Sequence, residues 1–249
     1  MEKDKTKPTK RTWFVYDAHG PLLGFSPTGN IRDSYARMEE YIKTHHHPDI
    51  YHKAMVENDR ASYIEVTKKL QEAILSGELP PYPNKRMIRL AHKIKEYGGI
   101  NTVITDGDKS FLVELMHRIS EGHSPFDKEN IRDSSNVGSK KNPQTWYSIF
   151  QEMGVHKGDR FYGIEDTEDN ARAMAKAAKE SGLVARVYLL DSSLSPKEVK
   201  KDGDIIRIGG EEHLERKVHR HLRHHTKKKP LNGSVIAVFL LSFLLLGTL

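Results

Sequence analysis

Cysteine is absent from the 249 residues of this chain. Its absence excludes disulfide bonds, a thiolate nucleophile, an iron–sulfur cluster and cysteine-ligated zinc, and it is compatible with a reducing compartment. The chain also lacks a strong excess of one charge, since 40 Lys and Arg face 34 Asp and Glu, a formal charge of +6. Apolar residues make up 37% of the sequence, enough for one globular core with a small accessory domain.

The positive charge is concentrated near the two ends. Residues 1–11 carry a net +3 and residues 213–229 a net +6, so the remainder of the chain is at −3. A slightly acidic middle does not favour a nucleic-acid-binding core, and we expect no nucleic-acid partner. Residues 1–11 also lack the apolar stretch of a secretory signal, so we expect a basic, disordered arm there.

A long apolar run, SVIAVFLLSFLLLGTL, occupies residues 234–249. Counted from Leu231 the segment has 19 residues, and as a helix it would span about 28 Å, close to the hydrocarbon thickness of a thin bilayer. We therefore predict a C-terminal hydrophobic helix at residues 231–249 that anchors the chain in a membrane. A buried core helix is the alternative. Lys and Arg lie on the N-terminal side of the segment, which predicts that the folded part is on the cytoplasmic face.

The segment before the apolar run is rich in histidine, with five of the chain's 14 histidines between residues 213 and 225. Leu214, Val218 and Leu222 fall on one helical face and basic residues on the other, which is typical of the end of a domain. We predict that the core continues to residue 222 and that residues 223–230 form a basic, histidine-rich juxtamembrane linker. Metal binding by these histidines is the alternative.

Three short β-prone runs in the middle of the chain predict strands, and each is followed at once by polar residues. The runs are residues 13–16, 100–104 and 160–164, and they are followed by Asp17, by Thr105-Asp106-Gly107 and by Glu165-Asp166-Thr167. Helical periodicity at residues 85–97 and 145–153 precedes the second and third runs. This alternation predicts an α/β fold with a Rossmann-like, mostly parallel sheet covered by helices. Ligands of such sheets bind at the carboxyl ends of strands, so these polar residues are the candidate site.

A helical segment interrupts the alternation. Residues 31–44 and 60–76 have helical periodicity without a convincing strand, and a proline-rich stretch at 80–83 closes the segment. We predict an inserted α-helical cap at residues 22–81 and an α/β core made of residues 12–21 and 82–222.

The order of these motifs resembles the haloacid dehalogenase-like hydrolase superfamily, over about residues 13–222. Four segments carry the resemblance: FVYDAHG at 14–20, VITDG at 103–107, VGSKKNP at 137–143 and GIEDT at 163–167. The Glu-Asp pair in the last segment is the form seen in β-phosphoglucomutase-like members. The resemblance implies a core that carries the chemistry, a cap that selects the substrate, and a Mg²⁺-dependent phosphatase acting on a small phosphorylated compound.

The resemblance also implies a role for individual residues. Asp17 would be the nucleophile that forms an aspartyl-phosphate. Thr105, with Asp106 and Gly107, and Lys140 would bind the phosphoryl group, with Lys141 as the adjacent alternative. Mg²⁺ would be held by Asp17, Glu165, Asp166 and the backbone carbonyl of His19. Phosphoryl transfer needs its negative charge neutralised, and carboxylates that hold Mg²⁺, a lysine and amide donors are suited to that task.

Two positions depart from the family's pattern. Phosphatases of the superfamily usually have a second Asp two residues after the nucleophile, as acid and base, and here that position is His19. Pro21 replaces the Thr that usually follows. Histidine can exchange protons near neutral pH, so His19 is our candidate for the acid/base role.

The departures leave two alternatives open. One is a catalytically weak or inactive relative that uses the scaffold for binding at a membrane. The other is a metal-independent haloacid dehalogenase, against which Glu165 and Asp166 argue, because dehalogenases lack the metal-binding acids. The sequence makes no prediction of oligomeric state.

Overall fold

A computed structural model describes residues 10–27, 31–57, 59–105, 108–120, 123–133 and 138–226. The chain divides into two compact units, Met1–Glu215 and Arg216–Leu249. The first unit contains the sheet and every candidate site residue. In the second unit the structure describes the C-terminal part of one helix.

The strands of the described chain are β1 (Thr12–Asp17), β2 (Leu23–Gly24), β3 (Tyr82–Pro83), β4 (Ile100–Thr105), β5 (Ile131–Asp133), β6 (Arg160–Glu165), β7 (Val184–Leu190), β8 (Val199–Asp202) and β9 (Ile205–Ile208). The helices are α1 (Ile31–His45), α2 (Pro48–Met55), α3 (Arg60–Ser76), α4 (Lys85–Glu96), α5 (Lys109–Ile119), α6 (Pro143–Met153), α7 (Glu168–Glu180) and α8 (Glu211–Thr226), with a 3₁₀ turn at Lys128–Asn130.

Seven of these strands form one sheet in the order β5-β4-β1-β6-β7-β9-β8, and β2 pairs with β3 separately. Neighbours in the large sheet are parallel except β8, which is antiparallel to β9. Strand β1 lies between β4 and β6, with Asp17 level with Ile104 and Tyr16 level with Ile164. The carboxyl ends of these three strands therefore meet at one edge, and the predicted Rossmann-like parallel sheet is confirmed.

Helices α6 and α7 cover part of the sheet. Trp146 of α6 and Met174 of α7 join Trp13 and Phe161 of the strands in one buried cluster. Helix α7 approaches β6 closely because Gly163 has no side chain, since a Cβ there would lie 2.1 Å from Sδ of Met174. This packing fixes the start of α7, and with it the end of β6, relative to the sheet.

Helices α1, α2 and α3 lie between β2 and β3 in the sequence and have a hydrophobic cluster of their own. We call these three helices the helical insert. Helix α3 spans the predicted residues because Asp59 accepts a hydrogen bond from the Ser62 amide at its start and Gly77 adopts a φ of +84° at its end. Helix α2 was not predicted, since it has only eight residues and begins at Pro48.

No helix among the described residues is long and apolar enough to cross a membrane. The predicted anchor at residues 231–249 lies outside the described residues, as do residues 1–9 of the predicted arm and 227–230 of the predicted linker. The anchor, the arm and the linker remain predictions.

Candidate active site

Three carboxylates gather where β1 and β6 end. Asp17 is the last residue of β1, Glu165 is the last residue of β6, and Asp166 follows it. One carboxylate oxygen from each residue lies within 4.8 Å of the other two. The structure thus brings together the three side chains that the sequence predicts as metal ligands.

Lys140 enters this cluster from the loop before α6. Its Nζ lies 2.6 Å from Oδ1 of Asp17 and 3.5 Å from Oε1 of Glu165, and its side chain is only 2% exposed. The adjacent Lys141 is exposed. Because a lysine is rarely buried unless it is paired, the structure selects Lys140 over Lys141 as the cation of the cluster.

The buried indole of Trp146 positions Lys140. Nε1 of Trp146 donates a 2.8 Å hydrogen bond to the backbone carbonyl of Lys140. Asn142 begins α6 by accepting a hydrogen bond from the Gln144 amide, and Pro143 occupies the first turn, where a missing N–H is tolerated. The lysine is therefore held by the start of a helix whose first turns are anchored in the core.

The carboxyl group of Asp166 has a strongly shifted pKa. Burial and the negative charge of Asp17 raise its pKa to about 7, although Lys140 and the Tyr35 hydroxyl act in the opposite direction. Tyr35 of α1 donates a 3.3 Å hydrogen bond to Oδ2 of Asp166. The other oxygen, Oδ1, is buried and has no hydrogen-bond partner among the described residues.

The unpartnered Oδ1 of Asp166 indicates that a divalent cation would fit the site. A buried carboxylate oxygen without a donor is unfavourable, and a cation beside it would satisfy it. Three carboxylates within coordinating reach of one another are the oxygen ligands that Mg²⁺ prefers. The residues present therefore fit a hard divalent cation.

The turn after β1 leaves little room beside Asp166. Gly20 has a φ of +82°, and a Cβ at this position would lie 2.2 Å from Oδ2 of Asp166. Glycine is required here both by the backbone conformation and by the close approach. The turn thereby brings residues 18–20 against the acidic cluster.

His19 points its ring toward the helical insert and is not part of the acidic cluster. Its Nε2 lies 3.3 Å from Oγ of Ser34, and its ring contacts the edge of Tyr35 with centroids 4.6 Å apart. Burial, and then the positive charge of Lys140, lower the pKa of His19 to about 4. The imidazole is therefore neutral at pH 7, and it would not add positive charge beside a metal ion.

The remaining predicted residues follow β4. Thr105 ends this strand beside β1, and its partly buried side chain lines the same cavity as Asp17 and Lys140. Asp106 and Gly107, predicted to bind phosphate through their amides, lie outside the described residues. Their roles stay predictions.

Sequence reasoning missed Ser34, Tyr35 and Asn170. The first two reach the site from α1, and no local pattern in the helical insert singles them out. Asn170 of α7 lies with Nδ2 3.5 Å from Oε2 of Glu165, one helical turn after the acidic pair. Its spacing from Glu165 was the available signal, because the end of β6 and the first turn of α7 face the same edge.

A cavity of about 790 Å³ lies over the site. Its lining includes Asp17, Thr105 and Lys140 at the strand ends and side chains of α1, α3 and α5 further away. The site is thus the polar part of a larger chamber.

No family model and no curated protein matches the chain. Solved structures do, at low sequence identity. A putative β-phosphoglucomutase from Thermotoga maritima is 13% identical, with 84% of this chain and 99% of that chain covered and a TM-score of 0.52. A HAD family hydrolase from Deinococcus radiodurans R1, with bound phosphate and sodium, is 13% identical over 86% of this chain and 96% of that one, with a TM-score of 0.50.

A dehalogenase is 10% identical over 84% of this chain and 97% of that chain, also with a TM-score of 0.50. The chain has a HAD-like fold. The predicted resemblance is confirmed at the level of the fold. Because the HAD-like structures that match include a dehalogenase as well as a putative β-phosphoglucomutase, the activity must be argued from the site.

Proposed function

We propose that this chain is a Mg²⁺-dependent phosphatase of a small phosphorylated compound, with Asp17 as the nucleophile. The observation that carries the proposal is the buried group of Lys140 and three carboxylates at the carboxyl edge of the sheet. Buried charges reduce stability unless they are paired, and groups of this kind concentrate at functional sites. A lysine and a metal-binding acid cluster within one cavity suit phosphoryl transfer better than a purely structural role.

Asp17, Glu165 and Asp166 would hold the cation through side-chain oxygens, and the backbone carbonyl of His19 is the fourth proposed ligand. When bound, Mg²⁺ would neutralise negative charge on the phosphoryl oxygens. The proposal for Asp166 is supported by its buried Oδ1, which has no partner in the described part of the chain.

The chain's own residues would act in two steps. In the first, a carboxylate oxygen of Asp17 forms a bond to phosphorus while the bond from phosphorus to the leaving oxygen breaks, which gives an aspartyl-phosphate and an alkoxide that takes a proton from water to become the alcohol. In the second, water attacks phosphorus, and phosphate leaves with Asp17 restored. Lys140 orients Asp17 through the 2.6 Å contact with Oδ1, to which the Ala18 amide also donates at 2.8 Å.

Lys140 and the Thr105 hydroxyl would bind the phosphoryl oxygens as their charge develops, together with the amides of Asp106 and Gly107. His19 would take a proton from the attacking water in the second step. Because burial and the charge of Lys140 lower its pKa to about 4, the imidazole is neutral at pH 7 and would accept the proton as a weak base.

A non-catalytic binding protein is the second candidate. The observation that favours it is the position of the His19 ring, which packs against Tyr35 and lies near Ser34 rather than among the carboxylates. A metal-independent dehalogenase is a third candidate, but it gives no reason for the retained Glu165 and Asp166. Either alternative predicts no Mg²⁺-dependent phosphate release.

We also propose that the apolar segment at residues 231–249 tethers the protein to the cytoplasmic face of a membrane. The support is its length, its lack of charge and the Lys and Arg residues before it.

The test is phosphate release by the full chain from a panel of phosphomonoesters, with Mg²⁺ and with a chelator. We expect turnover with Mg²⁺ alone, and Asp17→Asn should lower it by about 10⁴-fold or more, as loss of a nucleophile does elsewhere. Asp49→Asn, at an exposed carboxylate on α2, is the matched control and should retain activity. Equal turnover in the chelator, or full activity in Asp17→Asn, would contradict the proposal.

A further inference from the structure

The cavity over the site has two chemically different ends. At the strand ends its lining carries Asp17, Thr105 and Lys140, which are the groups proposed to handle a phosphoryl group. Away from the strand ends the lining comes from the helical insert and from α5, and apolar side chains form the larger part of it. The substrate's leaving group would lie against this second part of the lining.

The lining away from the strand ends comes mainly from a mixed face of α3 and an apolar face of α5. Residues 63, 67, 70, 71 and 74 recur at helical spacing on α3, and residues 111, 112 and 115 do so on α5. The large apolar members from α1, α2, α3 and α5 are Met38, Met55, Leu70, Ile74, Phe111, Leu112 and Leu115. Polar side chains also contribute to the lining: Arg60, Tyr63, Thr67 and Gln71 of α3, and Asp108 just before α5.

This lining discriminates between leaving groups. The hydroxyls of a sugar or glycerol group need hydrogen-bond partners when they leave water, and a hydroxyl that faces the apolar side chains of α5 finds none there. A methylene group needs none and gains from burial. A chamber of about 790 Å³ is in the size range that encloses a drug-sized ligand, so it has room for many carbon atoms beyond the phosphoryl group.

We propose that the substrate is a phosphomonoester with an apolar leaving group, an alkyl or aryl phosphate rather than a sugar phosphate. This inference rests on the proposed function, because it assigns the polar end of the cavity to the phosphoryl group. The occupant of the apolar end is then the carbon chain or ring bonded to the leaving oxygen.

The first test compares two esters of the same shape with the full chain and Mg²⁺. Cyclohexylmethyl phosphate and glucose 6-phosphate place a six-membered ring at the same distance from phosphorus, and only the second carries ring hydroxyls. We expect kcat/KM to be at least about tenfold higher for cyclohexylmethyl phosphate, the difference that one unpaired polar group makes.

The second test varies chain length from ethyl through butyl and hexyl to octyl phosphate, at a fixed low detergent concentration. Each added methylene should raise kcat/KM about three- to fourfold until the chamber is filled. If kcat/KM did not change with chain length, or if glucose 6-phosphate were preferred, the inference would be overturned. The proposed function would still stand in that case, provided that phosphate release required Mg²⁺ and Asp17. No release from any ester would overturn both.

Two neighbouring substitutions on α3 test whether the lining face of this helix causes the dependence on chain length. Ile74→Gln places an amide in the lining, whereas Leu75→Gln changes a side chain that is 52% exposed. We expect Ile74→Gln to lower the octyl-to-ethyl ratio of kcat/KM by about fivefold, and Leu75→Gln to leave that ratio unchanged. If the octyl-to-ethyl ratio of kcat/KM were equal in both variants, the assignment of the α3 face that contains Ile74 would be contradicted. If Ile74→Gln fails to fold, the chain-length series on the unmodified protein still tests the inference.

Discussion

Two groups of charged side chains lie near the start of α7, and they differ in burial and in the pKa shifts of their carboxyl groups. In the site cluster, Lys140 is 2% exposed and contacts Asp17 and Glu165. In the surface network, Arg207 of β9 is 19% exposed and bridges three carboxylates at 2.7 to 3.0 Å: Glu168, Asp191 and Asp202.

The difference is clearest between two carboxyl groups only two residues apart. Burial and the charge of Asp17 raise the pKa of Asp166 to about 7. Hydrogen bonds from Arg207 and Arg172 lower the pKa of the exposed Glu168. The surface network therefore stabilises the ionised carboxylates it contains, whereas the site keeps a carboxylate where its charge is unfavourable. Such an arrangement is expected where function rather than stability selects the residue.

Asp166→Asn should have the largest effect on turnover. We expect turnover to fall by about 10³-fold, the several kcal/mol that a correctly held metal supplies. Without Mg²⁺ the variant should melt at a higher temperature than the unmodified protein, because it removes a buried negative charge beside Asp17. The measurements are steady-state kinetics and thermal unfolding.

Mg²⁺ addition provides the control for that variant. At about a hundred times its Kd, Mg²⁺ should stabilise the unmodified protein by about 2.7 kcal/mol and Asp166→Asn much less. Asp49→Asn should respond as the unmodified protein does. An unchanged Mg²⁺ response in Asp166→Asn would show that the cation binds elsewhere.

Lys140→Met should have the next largest effect. It removes the cation that orients Asp17, and we expect turnover to fall by about 10²- to 10³-fold. It also leaves carboxylates buried without their partner, so the free energy of unfolding should drop by about 3 kcal/mol in the absence of Mg²⁺. Kinetics and urea unfolding measure the two effects.

Lys141→Met is the matched variant, since this neighbouring lysine is exposed. It should lose far less activity and less stability than Lys140→Met. A larger loss in Lys141→Met would reverse the assignment of the phosphate-binding lysine.

Arg207→Leu should have the smallest effect on turnover, and it should lower the stability of the fold. We expect the melting temperature at pH 7 to fall by about 2–4 °C with activity retained, because the network joins β9 to α7 outside the cavity. The pKa values of Glu168 and Asp202 are lowered by hydrogen bonds with Arg207, so the stabilisation is present above the unfolded pKa of about 4 and is lost as the pH falls below it.

Thermal unfolding at pH 7 and pH 3 checks the sign, since the difference between Arg207→Leu and the unmodified protein should shrink at pH 3. Lys179→Leu, which breaks a single exposed pair with Asp204, should have a smaller effect at pH 7. A difference for Arg207→Leu that grows at pH 3 would contradict the ionic account.

The strand ends could be predicted from sequence because their signal is local. A β-prone run followed by Asp17, Thr105 or Glu165 marks both the strand and the functional edge, and parallel pairing then brings the three together. Strands β7, β8 and β9 were not predicted, although they extend the same sheet.

The resemblance placed the lysine at Lys140, but Lys141 stayed the adjacent alternative because both lie in one polar loop. The choice depends on the Trp146 indole holding the Lys140 carbonyl, a contact that only the folded helix α6 creates. The contact of Tyr35 with Asp166 joins residues 131 positions apart, so no local pattern reports it. The surroundings of His19 could not be predicted from the sequence for the same reason, since Ser34 and Tyr35 come from the helical insert.

The most direct measurement is mass spectrometry of the full chain after an acid quench during turnover of a phosphomonoester with Mg²⁺. We expect one phosphoryl group on the peptide that contains Asp17, and no such group in Asp17→Asn. Turnover without any phosphorylated peptide, or a phosphoryl group that persists on that peptide in Asp17→Asn, would contradict the claim that the buried carboxylate at the end of β1 is the nucleophile.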